Sequence, residues 1–296
     1  MTGAPVTRYI PAMNDATSPS PLGSPAEVFA AGRRAEEAGD FERAHDLYVQ
    51  AVGAGTEHAD WHYRLGCVCL KTLRYDQARR CFQSGLDRVP GDPRMLTNLG
   101  AALDHLGRRD EALAAYQRAA YHPDAPAEAY HNLGALYAED GRTDDAVKAF
   151  SEAVQKHPDA EGFCSLGLVL LGTGDFVRAL EAFESSVSKD RQYARGHYYA
   201  GVCQLRGGRY KDALRRFDLV LRLDRGLVRA HLHRGVCLHK LERYKEALAA
   251  LTEAESAFPE DGRLHFQLAL TCDALELAAD ARRHYHQARI LREESS

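Results

Sequence analysis

The sequence predicts an all-α protein in which antiparallel helix hairpins stack side by side into a solenoid. Three observations lead to this fold class. Small and aromatic residues recur about every 34 residues, apolar residues within each period follow helical spacing, and a glycine interrupts many periods near the middle. A single hairpin cannot bury its apolar face, so neighbouring hairpins must stack on one another.

Three positions define the repeat. Position 8 is glycine in seven repeats and alanine in the last: Gly32, Gly66, Gly100, Gly134, Gly167, Gly201, Gly235 and Ala269. Twelve residues later alanine follows without exception: Ala44, Ala78, Ala112, Ala146, Ala179, Ala213, Ala247 and Ala281. Four residues further along stand Tyr48, Phe82, Tyr116, Phe150, Phe183, Phe217, Leu251 and Tyr285. The two small residues let a pair of helices approach closely, and the large side chain fills the space between them.

Helix boundaries can be placed within each repeat. A glycine that can adopt the left-handed conformation ends the first helix at Gly39, Gly107, Gly141, Gly174 and Gly208. Second helices open with segments such as "DEAL", "KDAL" and "KEAL", which place carboxylates where the helix dipole favours them. The predicted repeats cover residues 25–58, 59–92, 93–126, 127–159, 160–193, 194–227, 228–261 and 262–295.

Residues 1–24 precede the repeats, and we expect them to form a disordered tail. This segment is rich in proline and serine, with Pro5, Pro11, Pro19 and Pro21, and has too little apolar surface to order itself. A docking or modification segment is the alternative interpretation. The segment does not have the charged start and apolar core of a secretory signal.

The pattern resembles the tetratricopeptide repeat, a 34-residue helix–turn–helix unit. The eight copies cover all of the chain except the tail, and the Leu-Gly pairs such as Leu65-Gly66 and Leu133-Gly134 disfavour the 35-residue RNA-reading relatives. The resemblance implies a right-handed superhelix whose first helices line a concave groove. It also implies that positions 2, 5, 6, 9, 12 and 13 of each repeat face that groove.

Composition excludes several classes of protein. The 38 basic and 42 acidic residues give a formal net charge of −4, which offers no reason to expect nucleic acid or an anionic membrane as partner. No apolar run is long enough to insert into a bilayer. Seven scattered cysteines fit a reduced, cytoplasmic protein better than a disulfide framework. Abundant Arg and Ala with few Lys suggest a GC-rich bacterial source.

The sequence offers no catalytic motif, so we expect neither an enzyme nor a cofactor. It contains no HExxH, P-loop or nucleophile-elbow pattern. The pairs His231-x-His233, His284-x-His286 and Cys67-x-Cys69 look like metal ligands. Residues two apart on a helix point in nearly opposite directions, so the two members of such a pair cannot bind the same ion. No metal site is therefore predicted. Cys203 and Cys237, both at position 10, are expected to fill the core.

Position 2 carries the first candidate binding site. It reads Ala26, Asp60, Arg94, Glu128, Glu161, Arg195, Arg229 and Arg263. A cation in the first turn opposes the helix dipole by roughly 0.3–1 kcal/mol, so three successive arginines suggest a functional constraint. The sixth repeat also has eight basic and three acidic residues, a balance of +5. Other groove positions nearby add Tyr198, Tyr199, Arg206, His233, His239 and Lys240.

Two interpretations of this arginine ladder remain open. If functional, Arg195, Arg229 and Arg263 would bind carboxylates or phosphates of an extended peptide. Otherwise they are solvated, and the histidines two residues after each arginine replace the aromatic side chain usual at position 4 and pack between the helices.

Asn98 and Asn132, both at position 6 of adjacent repeats, form the second candidate site. The resemblance implies that such asparagines bond the backbone of a bound peptide, although Ser165, Tyr199 and His233 follow at this position. The Lys and Asn pattern by which related domains clamp the C-terminal carboxylate of chaperones is absent around both asparagines.

We therefore expect a non-catalytic scaffold or adaptor that binds an acidic, extended segment of a partner protein. A structural subunit of a larger assembly or a self-associating protein is the alternative, with Leu268 and Leu275 as apolar residues that the last repeat could leave for a partner. An accessory subunit of a separately encoded enzyme is a third possibility.

Overall fold

The computed structural model describes residues 23–55, 58–227 and 229–294, and within them it contains 16 helices and no strands. The first helices of the eight repeats are α1 (Pro25–Glu37), α3 (Ala59–Lys71), α5 (Pro93–His105), α7 (Ala127–Glu139), α9 (Ala160–Gly172), α11 (Ala194–Arg206), α13 (Arg229–Lys240) and α15 (Gly262–Ala274). The second helices are α2 (Phe41–Gly53), α4 (Tyr75–Leu86), α6 (Arg109–Ala120), α8 (Thr143–Lys156), α10 (Phe176–Lys189), α12 (Tyr210–Leu223), α14 (Tyr244–Ala257) and α16 (Ala278–Glu294). The all-α fold is as predicted, while the predicted tail lies almost wholly outside the described residues.

The chain forms two compact parts that divide between Ala112 and Leu113, inside α6. In the N-terminal part the two helices of each of the first two repeats pack as a hairpin, and each second helix also packs on the next first helix. The C-terminal part repeats this order from α7 to α16. First helices of neighbouring repeats also contact one another, as α3 contacts α5 and α11 contacts both α9 and α13.

The hairpin is closed by a contact between position 8 and position 24. A Cβ atom added to Gly66 would lie 2.6 Å from the ring of Phe82, and one added to Gly167 would lie 2.6 Å from Phe183. In the seventh repeat Gly235 stands in the same relation to Leu251. The alanines at position 20 are at most 1% exposed in all eight repeats. The 34-residue period of the sequence therefore arises from a helix–helix contact within each hairpin.

Position 15 adopts the left-handed conformation in every repeat. Five repeats have glycine there, as predicted, with φ between 71° and 83°. The other three have Leu73, Glu242 and Glu276, with φ between 58° and 60°. Residues with a Cβ pay roughly 1–2 kcal/mol in this conformation, so the hairpin geometry overrides the local preference at these three turns.

All seven cysteines are free thiols, and six of them are buried. Cys203 and Cys237 are 3% and 0% exposed, which confirms that position 10 contributes to the core. In the part of the chain that the structure describes, none of the helices combines the length and apolar character needed to cross a bilayer.

Adding one methyl group at position 8 should open a hairpin. We expect Gly167→Ala to lower the free energy of unfolding by about 1–3 kcal/mol, because the added Cβ would overlap the buried ring of Phe183. Gly172→Ala is the matched control on the same helix, since its added Cβ would meet no atom within 4 Å. Urea denaturation of both variants measures the effect, and equal stability of the two would contradict it.

Relieving the strain at position 15 should stabilise the protein. Glu242 is exposed and has a φ of 60°, so Glu242→Gly should raise the free energy of unfolding by up to about 1 kcal/mol. Gly141→Ala, at the same position of the fourth repeat, should have the opposite sign. Thermal unfolding of the two variants tests the pair, and a loss of stability in Glu242→Gly would show that the turn is not strained.

Candidate functional site

The candidate site is the surface of the first helices, here called the first-helix face. Side chains at positions 5 and 6 connect neighbouring first helices in the C-terminal part of the chain. The Nε2 atom of His131 lies 3.2 Å from the Oγ atom of Ser165, and the hydroxyl of Tyr198 lies 3.2 Å from the Nδ1 atom of His233. The first contact joins α7 to α9, and the second joins α11 to α13, two of the three helices that carry the arginine ladder.

The three ladder arginines lie in the first turns of α11, α13 and α15, and all three are exposed. Arg195, Arg229 and Arg263 make no ion pair with any described residue. Arg94, at the same position of the third repeat, instead pairs with Asp92 at 2.9 Å and lies 5.0 Å above the ring of Tyr63. The ladder guanidinium groups therefore lack the carboxylate partner that Arg94 has.

Arginines at the start of second helices behave differently. Arg108, Arg142 and Arg243 each pair with a carboxylate three residues later, at 2.6–2.7 Å. Arg209, at the same position of the sixth repeat, makes no ion pair with a described residue, and neither do the exposed Arg222, Arg225 and Arg282. The ladder is distinguished instead by the recurrence of an exposed arginine without an ion pair to any described residue at position 2 of three successive repeats.

The aromatic residues predicted near the ladder contribute mainly to packing. Tyr198 is only 8% exposed and belongs to the core of repeats six and seven. Tyr199 stacks on Phe183 with the ring centroids 5.4 Å apart, and His233 stacks on Phe217 at 5.4 Å. They position the first helices, and the surface near the ladder is formed by charged side chains.

Arg206 and Lys240 lie at the C-terminal ends of α11 and α13, and both are exposed. The guanidinium of Arg206 lies 5.7 Å from the ring centroid of Phe176. At a helix C-terminus a cation is favoured by the dipole, so these two side chains need no functional explanation.

The histidines at position 4 pack between helices, as one of the two interpretations expected. His197 and His265 are each 5% exposed. The Nε2–H group of His197 donates to the carbonyl of Arg191 at 3.0 Å, and that of His265 donates to the carbonyl of Pro259 at 2.7 Å. His231 instead lies 2.7 Å from a carboxylate oxygen of Glu253.

Asn98 lines a cavity of about 450 Å³ in the N-terminal part of the chain. Its amide nitrogen lies 3.7 Å from the sulfur of Cys67. The cavity also contains Glu36, whose carboxylate lies 3.5 Å from Arg64 and 3.4 Å from Lys71. Glu36 accepts a further hydrogen bond from the hydroxyl of Tyr48 at 2.8 Å. Polar groups of both signs surround Asn98, which suits a peptide backbone better than a single charge.

Glu36, Arg64 and Lys71 were not singled out from the sequence. They occupy positions 12, 6 and 13 of their repeats, which the resemblance already assigns to the groove. The signal was therefore present, but nothing in the sequence shows that side chains from two repeats form one ion-pair network.

Asn132 lines a second cavity, of about 320 Å³, in the C-terminal part of the chain. Its other polar side chains include the carboxylates of Glu128, Asp159 and Glu161. The carboxylate of Asp159 accepts a hydrogen bond from the backbone of Gly162 at 2.7 Å, which helps to hold its pKa below the ordinary value. Asn132 therefore lies in an acidic environment that differs from the surroundings of Asn98.

Comparisons with protein families and solved structures agree with the fold. A family model for the middle TPR-like domain of cilia and flagella-associated protein 70 matches residues 29–157, and a tetratricopeptide repeat model matches residues 164–228 and 208–262. Together with the 34-residue frame and the helix hairpins, these matches show that the chain is a tetratricopeptide repeat protein. No curated protein matches it at a significant level.

Three solved structures illustrate the likeness of fold. The C-terminal part of a TPR repeat-containing protein from Cytophaga hutchinsonii has a TM-score of 0.64 at 13% identity, over 81% of this chain and 99% of that one. YrrB, described as a TPR protein with an unusual peptide-binding site, has a TM-score of 0.55 at 22% identity, over 66% and 97%. A structure of the APC/C hetero-tetramer Cut9–Hcn1 has a TM-score of 0.58 at 16% identity, over 85% of this chain. The match covers only 50% of that Cut9–Hcn1 chain.

Acidification should weaken the packing around His233. Burial holds the pKa of this imidazole below its ordinary value of 6.5, so the folded state favours the neutral ring. Its stabilising contribution is complete above pH ~6.5 and is lost as the pH falls through the lower folded-state pKa. We expect the decline in unfolding free energy between pH 7.5 and 5.5 to be smaller in His233→Asn than in the wild type.

Urea denaturation at the two pH values measures this difference. His286→Asn is the control because His286 is exposed on the last helix, and it should keep the wild-type pH dependence. An unchanged decline in His233→Asn would place the pH sensitivity elsewhere.

Proposed function

We propose that this protein is a non-catalytic scaffold that binds an extended, acidic segment of a partner protein along the first helices of repeats six to eight. The observation that carries the proposal is the exposure of Arg195, Arg229 and Arg263 at one position of three successive repeats, without ion-pair partners among the described residues.

The chemistry of the ligand follows from the guanidinium group. Its planar fork matches the two oxygens of a carboxylate, and one arginine per repeat suits acidic residues spaced along an extended chain. Nucleic acid is disfavoured because the basic stretch is short and the protein carries a formal net charge of −4. YrrB, a structural neighbour described as having a peptide-binding site, supports a peptide as the ligand.

The asparagines extend the same proposal to the peptide backbone. Asn98 and Asn132 each line a cavity whose polar side chains could hold main-chain groups. Cysteine, histidine and carboxylate groups surround them in different proportions, so the two cavities should prefer different segments of a partner.

A structural role in a larger assembly, or self-association, is the alternative. Of the two leucines predicted to leave apolar surface in the last repeat, Leu268 is fully buried and Leu275 is partly buried. Phe266 and Leu277 are exposed there instead, at 47% and 40%. A concentration-dependent mass of the wild type in sedimentation would favour this alternative over a monomeric scaffold. A separately encoded enzyme served by the protein would be one kind of partner within the main proposal.

Charge reversal of the ladder should weaken binding without cost to the fold. The probe is a fluorescent peptide of alternating Glu and Gly residues, with the Gln version as its neutral counterpart, followed by anisotropy. The wild type should bind the acidic peptide in preference, with an affinity that falls as salt is added. The triple variant Arg195→Glu, Arg229→Glu, Arg263→Glu should weaken binding at least tenfold, by about 1.4 kcal/mol or more.

The control variant carries the same change of charge on second helices, at the exposed residues Arg118, Arg222 and Arg282. It should bind like the wild type. The ladder variant should also be at least as stable as the wild type, because glutamate in the first turn of a helix is favoured by the dipole. Equal binding by the two variants would show that the ladder is a solvated surface.

A further inference from the structure

Two imidazoles and a carboxylate converge where α14, α15 and α16 meet. His265 on α15 and His284 on α16 are each 5% exposed, and their Nδ1 atoms lie 3.2 Å apart. The Oε1 atom of Glu255 on α14 lies 3.6 Å from Nδ1 of His265 and 3.8 Å from Nδ1 of His284. Three potential ligand atoms therefore surround one point, and each comes from a different helix.

The orientation of His265 is fixed by its other nitrogen. Its Nε2–H group donates to the carbonyl of Pro259 at 2.7 Å, so Nδ1 carries a lone pair, which is directed toward Nδ1 of His284. Histidines that bind metals almost always donate their second N–H group to a carbonyl or carboxylate in this way. The outer support of a metal ligand is thus already present.

Hydrogen bonding among the three side chains does not explain the carboxylate. A single N–H group can connect the two Nδ1 atoms, but distances of 3.6 and 3.8 Å are too long for hydrogen bonds to Glu255. The Glu255 side chain makes no hydrogen bond to any other described residue. The carboxylate of Glu255, whose side chain is 31% exposed, therefore lies within 4 Å of both Nδ1 atoms without a hydrogen bond to either.

The dimensions of this space fit a transition-metal ion. The centre of the triangle formed by the three atoms lies about 2.1 Å from each, and an ion displaced from that plane toward a fourth ligand would have bonds of about 2.1–2.2 Å, close to those from zinc to histidine nitrogen or carboxylate oxygen. In a tetrahedral zinc site, bonds of this length separate neighbouring ligand atoms by about 3.4 Å. The observed separations of 3.2, 3.6 and 3.8 Å lie close to that value.

The sixth repeat contains a similar arrangement in which the protein supplies the cation. His197, at position 4 like His265, has the same Nε2 bond to a carbonyl, and its Nδ1 atom lies 2.8 Å from a guanidinium nitrogen of Arg216. Arg216 also binds Glu184 at 2.7 Å. Arg216 and His284 both occupy position 23, so in the eighth repeat an imidazole replaces the guanidinium beside the histidine, while the glutamates Glu184 and Glu255 come from different positions, 25 and 28, of the preceding repeats.

We propose that Glu255, His265 and His284 bind a divalent ion of the zinc class, with tetrahedral geometry and a fourth position open to water. Two imidazoles and one carboxylate are a ligand set that suits zinc. The ion would tie the last hairpin to α14 and so stabilise the end of the repeat array. Arg283, whose guanidinium lies 3.3 Å from Nε2 of His284, is 69% exposed and can move toward Asp280, with which it already pairs at 3.3 Å.

Cobalt titration of the untagged, chelator-treated full chain tests the site. One equivalent of Co²⁺ should give the visible absorption of a four-coordinate ion, without a thiolate charge-transfer band, and Zn²⁺ should displace it. Glu255→Gln keeps the shape of the side chain, and it should weaken Co²⁺ and Zn²⁺ binding by at least about tenfold. His286→Ala removes an exposed histidine from the same helix and should bind as the wild type does.

Thermal unfolding gives a second measurement. Zn²⁺ should raise the melting temperature of the wild type and of His286→Ala, but not that of Glu255→Gln, whose helical content is checked by circular dichroism. The proposal is overturned if wild-type protein takes up no stoichiometric Co²⁺, if a thiolate band appears, or if Glu255→Gln binds with wild-type affinity.

Discussion

The contact between a bare glycine and a large buried side chain inside each hairpin is the constraint on which the structure depends. At Gly66 and Gly167 the first helix lies so close to the second that an added Cβ would overlap the phenylalanine ring. This close approach fixes the spacing within the hairpin and buries the alanine at position 20. The remaining helix faces are then free to pack on neighbouring repeats, which places successive first helices side by side within each part of the chain.

The fold could be predicted because this contact recurs at a fixed spacing. A single sequence therefore shows the same pattern of small and large residues eight times. The turns were only partly predictable. Glycine at Gly39 and Gly141 predicts the left-handed conformation, but Leu73 and Glu242 adopt the same conformation against their own preference. Their conformation is imposed by the two helices that they connect, and no local pattern shows it.

The candidate site was less predictable than the fold. The arginine ladder follows from repeat positions, and the first turns contain it as expected. The burial of Tyr198 did not follow, because its contacts come from the neighbouring repeat. The spacing argument correctly separates His284 from His286, yet it says nothing about His265 and Glu255, which reach His284 from two other helices. Spacing in the sequence shows which residues share a face of one helix, whereas the three residues of this cluster come from three different helices.

The correspondence between Arg216 and His284 has a consequence for how repeat proteins acquire new chemistry. A codon for arginine can become one for histidine by a single nucleotide change, and the repeat frame holds both side chains beside a histidine at position 4. One substitution at position 23 therefore exchanges a built-in cation for a second imidazole beside that histidine. Duplication of such a repeat provides a second copy in which the arginine can be lost and a metal ion can be bound in its place. The other copy meanwhile preserves the fold.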